Sequence, residues 1–349
     1  MQNSHTFAVL FLLLAMNKKL KAVVPVAGAG TRLRPHTYTQ PKPLIPVAGK
    51  PIISFIIDEL ISAGVRDFVF VIGYLGEKIK RYIEETYPNI NKEFVEQNDR
   101  AGIGHAIWTA RDHIKDCKEI LIVLGDTVVD MNLKGILQSD YSCLGVKEVK
   151  DPREFGVVEV NGKGMITKLT EKPKIPKSNL ALVGLYKIIE VKQLLDALSY
   201  NIENGIQTMG EYQLTDGLMR MIEQGALMTT LRVNNWFDCG KKDILLETNA
   251  MLLDKKGYSP DEAAFDNTII VHPVSIGTGV KIFNSIIGPY VTIGNETTIT
   301  ASIIQNSIIG SFSVLDDIAL RHSVIGSDTA VKGARRSLNI GDNTEIDFS

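Results

Sequence analysis

Cysteine is scarce in this chain of 349 residues: Cys117, Cys143 and Cys239 are odd in number, far apart and in no Cys-x-x-Cys pair. That excludes a disulfide framework and a thiolate zinc site, and reduced thiols in the cytoplasm are the expectation. No run of lysines and arginines stands out and the net charge is −2. The electrostatic footprint of a nucleic-acid binder is therefore missing, and a small-molecule substrate is expected instead. A long apolar run is missing too. Phe7 to Ala15 is apolar but far too short to span a bilayer, so no membrane partner is expected. As a signal-peptide core it lacks basic residues before it (Gln2, Asn3, Ser4 and His5 precede it) and a clear small-x-small cleavage site. Met16-Asn-Lys-Lys-Leu-Lys runs straight into the first apolar strand. Residues 1–20 are accordingly read as an extension with translation starting at Met16, which mass spectrometry of the native N-terminus would reject by finding peptides upstream.

What is present is an ordinary globular mixture, 44% hydrophobic and 22% charged, enough for a large domain and a smaller one. From Lys21 to about Pro152 strand-like runs (Ala22–Val26, Phe68–Ile72, Phe94–Glu96, Ile120–Leu124) alternate with amphipathic helical stretches (Ile52–Ala63, Glu77–Thr86, Ile103–His113, Leu133–Leu137). This alternation predicts an α/β, Rossmann-like domain with ligands beyond the carboxyl ends of its strands. From Tyr141 to Val233 the pattern becomes mixed, with strands near Cys143–Val149, Gly156–Val160, Ile166–Thr170 and Leu182–Ile188 and helices near Val191–Leu198 and Tyr212–Glu223. An antiparallel extension over the core sheet is expected there, making the central sheet mixed. A helix from Lys242 to about Leu253 closes a domain of residues 21–255, and 256–262 read as a linker. Beyond it, Ile-Gly pairs at Ile276, Ile287, Ile293, Ile309, Ile325 and Ile340 recur among aliphatics at Val280, Ile282, Val291, Ile299, Ile304, Val314 and Val331. A period near six predicts a left-handed parallel β-helix over 263–349, with these aliphatics in its axis and each following Gly or small residue at its corners.

Gly28-x-Gly30 after the first strand is a weak signal alone. The dinucleotide fingerprint wants a glycine where Leu33 stands, and no Gly-x-x-x-x-Gly-Lys-Ser/Thr occurs. The continuation Gly30-Thr31-Arg32-Leu33-Arg34-Pro35, followed by Pro41-Lys42-Pro43-Leu44, carries more. Glycines let amides approach phosphate oxygens, Arg32 adds a planar fork and Lys42 a point charge. Together they make a triphosphate cradle.

With Val26-Ala27-Gly28-Ala29-Gly30-Thr31-Arg32-Leu33, Pro41-Lys-Pro-Leu, Gly49-Lys-Pro-Ile, Leu124-Gly-Asp, Phe155-Gly-Val-Val, Glu171-Lys-Pro, Gly184-Leu-Tyr and Trp236-Phe-Asp-Cys-Gly, the chain resembles sugar-1-phosphate nucleotidyltransferases of the glucose-1-phosphate thymidylyltransferase and uridylyltransferase type, over about Lys21 to Leu253. The resemblance implies that Asp126 and Asp238 hold Mg²⁺, a hard cation that favours carboxylates together with substrate phosphates. It implies that Lys172 neutralises the sugar phosphate, that Glu171 accepts from sugar hydroxyls, and that Gly156, Val183 and Gly184 line the sugar pocket with Asn179 in reach. Ala27, Gly28, Gly30, Thr31, Arg32 and Lys42 would hold the nucleotide. The base would lie against Gln97 and Gly102, a Gln side chain offering a donor and an acceptor to a pyrimidine edge.

The expected reaction is in-line attack by a sugar 1-phosphate on the α-phosphorus of dTTP or UTP, with Arg32, Lys42, Lys172 and Mg²⁺ neutralising charge and no general base required. Gly28-Ala29-Gly30 is closer to the uridylyl pattern, whereas an appended β-helix suits a long thymidylyl form. A mannose-1-phosphate guanylyltransferase and a non-catalytic regulatory homologue are the alternatives, the second opposed by the intact set of charged residues. His105 and His113, eight residues apart with no metal-like partner, are read as structural or solvated. His322 falls in the β-helix, where acyltransferases of that architecture place a base, but no acyl-carrier pocket can be read. The flat faces of that domain suggest a homo-oligomer.

Overall fold

A computed structural model of the chain describes residues 20–130, 133–256 and 265–333. The proposed start at Met16, most of the linker, and Ile340 lie outside the described residues. The chain forms two compact units, one running to Pro46 and resuming over Lys50–Thr248, the other made of Val47–Gly49 and the residues from Asn249 onward. No helix among the described residues is long and apolar enough to cross a membrane.

The strands up to Asp238 are β1 (Leu20–Pro25), β2 (Pro46–Val47), β3 (Lys50–Pro51), β4 (Asp67–Ile72), β5 (Asn91–Glu96), β6 (Glu119–Val123), β7 (Thr127–Asp130), β8 (Ser142–Glu148), β9 (Gly156–Val160), β10 (Ile166–Glu171), β11 (Leu180–Ile188), β12 (Met228–Arg232) and β13 (Asn235–Asp238). One nine-stranded sheet follows the order β10-β9-β11-β6-β1-β4-β5, with β8 joined to β11 and β12 to β8. β6, β1, β4 and β5 are parallel. β1, β4 and β6 are near-continuous apolar runs because both of their faces are covered: Val23, Val69, Val71, Ile120 and Ile122 are fully buried in one core with Ile107, Leu194, Leu198 and Leu218. At the edge, β5 reads Asn-Lys-Glu-Phe-Val-Glu, half of it exposed, and its charges discourage further strand pairing.

The second half of this unit departs from the expected extension over the sheet. β11 hydrogen-bonds β6 directly, antiparallel, with Leu185 opposite Val123, so these strands lengthen the same sheet edgewise. The helix read as Ile103–His113 is broken at Ala110 into Ile103–Thr109 and Arg111–Ile114. β7 and β13, read neither as strands nor as partners, form a separate antiparallel ribbon with Asp238 opposite Thr127.

The second unit is the left-handed parallel β-helix. Twelve short strands, β14 (Ile269–Ile270) through β25 (Ala330–Lys332), stack into three four-stranded parallel sheets. Val274, Ile282, Ile287, Val291, Ile293, Ile299, Ile304, Ile309 and Leu315 fill the axis. The repeat is 17 residues from Val274 to Val291 and 16 from there to Ser307. Val314 is not an axial residue: it is 44% exposed while its neighbour Leu315 is fully buried. Two adjacent aliphatics fit the period equally well, and only the coil decides between them.

The corners also differ from expectation. Left-handed backbone falls in columns of mostly non-glycine residues, Asn284, Ala301 and Asp317 in one, Tyr290, Asn306 and His322 in another, Glu296, Phe312 and Asp328 in a third. Gly294 and Gly310 serve close approach instead, since a Cβ would lie 2.5 Å from the Ser311 amide nitrogen and 2.4 Å from that of Ser327 respectively. Buried hydroxyls run up the corners. The Ser313 amide donates to Thr297 Oγ1 (3.4 Å) and Ser313 Oγ accepts from the Thr329 amide (3.4 Å). The Ser302 amide likewise donates to Ser285 Oγ (3.1 Å). His322, at a corner, lies 3.0 Å from Asn306 Nδ2. Val47–Gly49 is held by buried Asn249, whose Oδ1 accepts from the Ala48 amide (2.9 Å) and the Thr292 hydroxyl (2.6 Å).

Candidate active site

The carboxyl ends of β1, β5 and β6 open onto a cavity of about 320 Å³, where a parallel α/β sheet places its ligands. Ala27, Gly28, Gly30, Thr31, Arg32, Lys42, Gln97 and Gly102 all line it, and so does Asp126. The loop after β1 turns at Gly30, which is left-handed (φ 61°) and packed so closely that a Cβ would lie 2.9 Å from that of Lys42. Gly28 has nothing within 4 Å of where a Cβ would stand, so its backbone faces open space. The amides of Gly28, Ala29 and Gly30 donate to no protein group among the described residues. Unpaired amides in a turn of this kind form a concavity for anions.

Beside this loop stands a cluster of four charges. Lys42, in the short helical turn Lys42–Leu44, is buried, and its Nζ lies 2.6 Å from Asp126 Oδ2 and 3.2 Å from Asp238 Oδ1. Burial works to discharge the ammonium, but the two carboxylates hold its pKa above the usual lysine value, and Lys42 in return holds that of Asp126 below the usual carboxylate range against the effect of burial. Arg32 Nη2 lies 3.4 Å from Asp238 Oδ2. The pairing of β7 with β13, continued by the Cys239 amide donating to the Asp126 carbonyl (3.2 Å), sets the two aspartates side by side. Gly240 leaves the room Arg32 uses, since a Cβ there would stand 2.7 Å from the guanidinium. Among the described residues no group of three or more His, Cys, Asp or Glu could hold a metal. Two carboxylates sharing one cation instead fit a divalent ion completed by substrate phosphates, the habit of Mg²⁺.

A second cluster lies where β9 and β10 pair, with Gly156 opposite Glu171. The Thr215 hydroxyl donates to Glu171 Oε2 (2.7 Å), and a Cβ on Gly156 would stand 3.1 Å from that same oxygen. Burial raises the Glu171 pKa. Lys172, with left-handed backbone, is partly exposed with Nζ 3.8 Å from Glu171 Oε1. Val183 is buried, and the Gly184 carbonyl accepts from the Leu124 amide (2.9 Å), two residues before Asp126. Asn179 is exposed at the start of β11, its carbonyl accepting from the Val149 amide. The described contacts do not bring it to the cluster.

Gln97, expected to face a pyrimidine edge with both a donor and an acceptor, is engaged within the protein. Gln97 is buried, and its Nε2 lies 3.1 Å from the Gly102 carbonyl and 3.0 Å from His105 Nδ1. The amide's donor side is thus taken up within the protein and its carbonyl oxygen alone remains, an acceptor only where a donor and an acceptor were read. His105, read as structural or solvated, stands against Gln97. His113 is elsewhere, paired with Glu93 at the sheet edge. Sequence reasoning missed Thr215, Arg100, Glu211 and Gly240, which reach these clusters from loops and a helix. Only Gly240 carried a local signal, as the last residue of Trp236-Phe-Asp-Cys-Gly.

The nucleotidyl transferase family profile matches residues 21–255. The chain belongs to that family. It is 29% identical over 361 aligned positions to the low-salt glycan biosynthesis nucleotidyltransferase Agl11 of Haloferax volcanii, covering 94% of this chain and 99% of that one. It is 27% identical to a glucose-1-phosphate thymidylyltransferase of Streptomyces antibioticus, again over 94% and 99%. The bifunctional protein GlmU of Methanocaldococcus jannaschii is 35% identical over 74% of this chain, which spans 61% of that relative's length. Among solved structures, a UDP-glucose pyrophosphorylase complexed with UDP-glucose is similar in fold, with TM-score 0.59, 24% identity and coverage of 68% of this chain and 99% of that one. The resemblance read from the separated motifs, with an appended β-helix, is borne out.

Proposed function

We propose that this nucleotidyltransferase joins glucose 1-phosphate to dTTP or UTP, giving a nucleotide sugar and pyrophosphate. The observation that carries the reading is Lys42 Nζ spanning Asp126 and Asp238 beside the unpaired amides of Gly28 to Gly30. Anion-binding amides, two cationic side chains and Asp126 in one cavity, with Asp238 against Lys42, suit a triphosphate with its metal. Asp126 and Asp238 would hold Mg²⁺, which supplies charge neutralisation on the phosphates.

An oxygen of the sugar 1-phosphate attacks the α-phosphorus, forming the new P–O bond as the bond to pyrophosphate breaks. The nucleophile is already anionic, so no side chain needs to remove a proton. Arg32 and Lys42 bind and orient the triphosphate, and Lys172 draws the second anion in against its charge. Glu171, oriented by Thr215, accepts from sugar hydroxyls, and Gly156 lets that carboxylate and Leu182 pack against the β9 backbone. The three free thiols support a cytoplasmic setting. The flat sheets of the β-helix support self-association, which sedimentation velocity of the full chain tests. Pyrophosphate release across dTTP, UTP, CTP, GTP and ATP, each with glucose 1-phosphate and mannose 1-phosphate, tests the function. Turnover confined to GTP with mannose 1-phosphate, or none with any pair, would overturn it.

A further inference from the structure

The Gln97 amide can stand either way round, and the two orientations present opposite faces to the cavity. With Nε2 toward Gly102 and His105 its two hydrogens reach the Gly102 carbonyl and the imidazole Nδ1. Turned over, Oε1 would face the Gly102 carbonyl, acceptor against acceptor. His105 adds to this lock only while Nδ1 carries a lone pair, with any proton on Nε2. Oε1 makes no hydrogen bond among the described residues, and Gln97 lines the cavity.

We propose that His105 is a positioning residue for base recognition: its neutral imidazole holds the Gln97 amide so that the cavity offers an acceptor, and a pyrimidine with an N3–H is taken over one with an N3 lone pair. This rests on the reading of the cavity as a nucleoside triphosphate site. The imidazole is itself fixed, lying near the rings of Trp108 (5.9 Å) and Tyr212 (6.4 Å). Burial favours its neutral form, the nearby charge of Asp99 works against that, and Arg100 and Glu211 also line the cavity.

The test is equilibrium binding of UTP, CTP and inorganic triphosphate to the full chain, as wild type, His105→Phe and His105→Asn. Phenylalanine keeps the ring and loses the acceptor; asparagine keeps an acceptor near Nδ1. Wild type should prefer UTP. His105→Phe should lower the UTP-to-CTP affinity ratio roughly fivefold, the worth of about one hydrogen bond, with triphosphate binding unchanged, and His105→Asn should retain the ratio. The wild-type ratio should also fall as pH drops through the imidazole's lowered pKa, and that profile should be flat in His105→Phe. An unchanged ratio in His105→Phe, an equal loss in both variants with triphosphate binding intact, or a flat wild-type profile would overturn the proposal. Should both variants lose triphosphate binding, the wild-type profile decides. A wild type that binds UTP no more tightly than inorganic triphosphate would instead overturn the base-site reading.

Discussion

Replacing Lys42 by methionine removes one charge from the centre of the site and little volume, so packing is nearly conserved. What remains is two carboxylates facing each other without their shared cation. The Lys42 side chain is 7% exposed, that of Asp238 22% and that of Asp126 35%. Breaking a fully buried ion pair costs about 3–5 kcal/mol. Asp126 is wet enough to be screened by solvent, so about 1.5–3 kcal/mol is expected here. Trp108 and Trp236 are the chain's two tryptophans and both belong to the first unit, so tryptophan emission in a urea titration reports on that unit alone. The pH dependence follows from the two shifts. The Asp126 pKa is lowered, so its share of the stability is present above about pH 4 and is lost as pH falls below that. The Lys42 pKa is raised, so its share persists through neutral pH and is lost only above about pH 10. The gap between wild type and variant should therefore be constant from about pH 5 to 9 and close in acid. Pyrophosphate release should drop by about 10²–10³. A variant with the wild-type urea midpoint at pH 7 and wild-type turnover would refute the reasoning.

Arg32→Ala should reduce pyrophosphate release by about 10²-fold or more while leaving tryptophan-monitored unfolding nearly unchanged, because the guanidinium is more than half exposed. Asp126→Asn should reduce it comparably and weaken Mn²⁺ binding measured by electron paramagnetic resonance in the presence of nucleotide. Thr215→Val strips the hydroxyl from Glu171 Oε2 and should raise KM for the sugar 1-phosphate several-fold, about 1 kcal/mol for one hydrogen bond, with KM for the nucleotide unmoved. Gly310→Ala drives a methyl into the backbone at Ser327; it should destabilise the β-helix by about 1–3 kcal/mol, read as faster amide exchange in that unit with turnover kinetics as the control.

The parallel strands were legible because they are buried on both faces and so read as unbroken apolar runs; β1, β4 and β6 lie within two residues of their expected limits. The charged site was legible as separate motifs but not as an assembly. Nothing local in Thr127–Asp130 or Asn235–Asp238 announces that they pair, yet that pairing brings Asp126 to Asp238. The Gln97 amide shows the same limit at atomic scale, since its orientation depends on a carbonyl and an imidazole that periodicity does not register. In the β-helix the period was legible, and so was the phase at Ile282, Ile287, Val291, Ile293, Ile299, Ile304 and Ile309, but not at Val314: Val314 and Leu315 are chemically alike, and spacing alone cannot choose between them.

The hydroxyl ladders at the corners of the β-helix have a consequence for how its length can vary. Thr297, Ser313 and Thr329 each meet their neighbours one coil away, and Gly294 and Gly310 meet the next coil in the same way. Each junction repeats the one before it, so a whole coil can be spliced in or out with both new joints already satisfied. A single extra residue is absorbed within one coil, since Ser285 and Ser302 are 17 residues apart and Thr297 and Ser313 are 16 apart, and both rungs form. The unit behaves as a ruler graduated in coils of 16 or 17 residues.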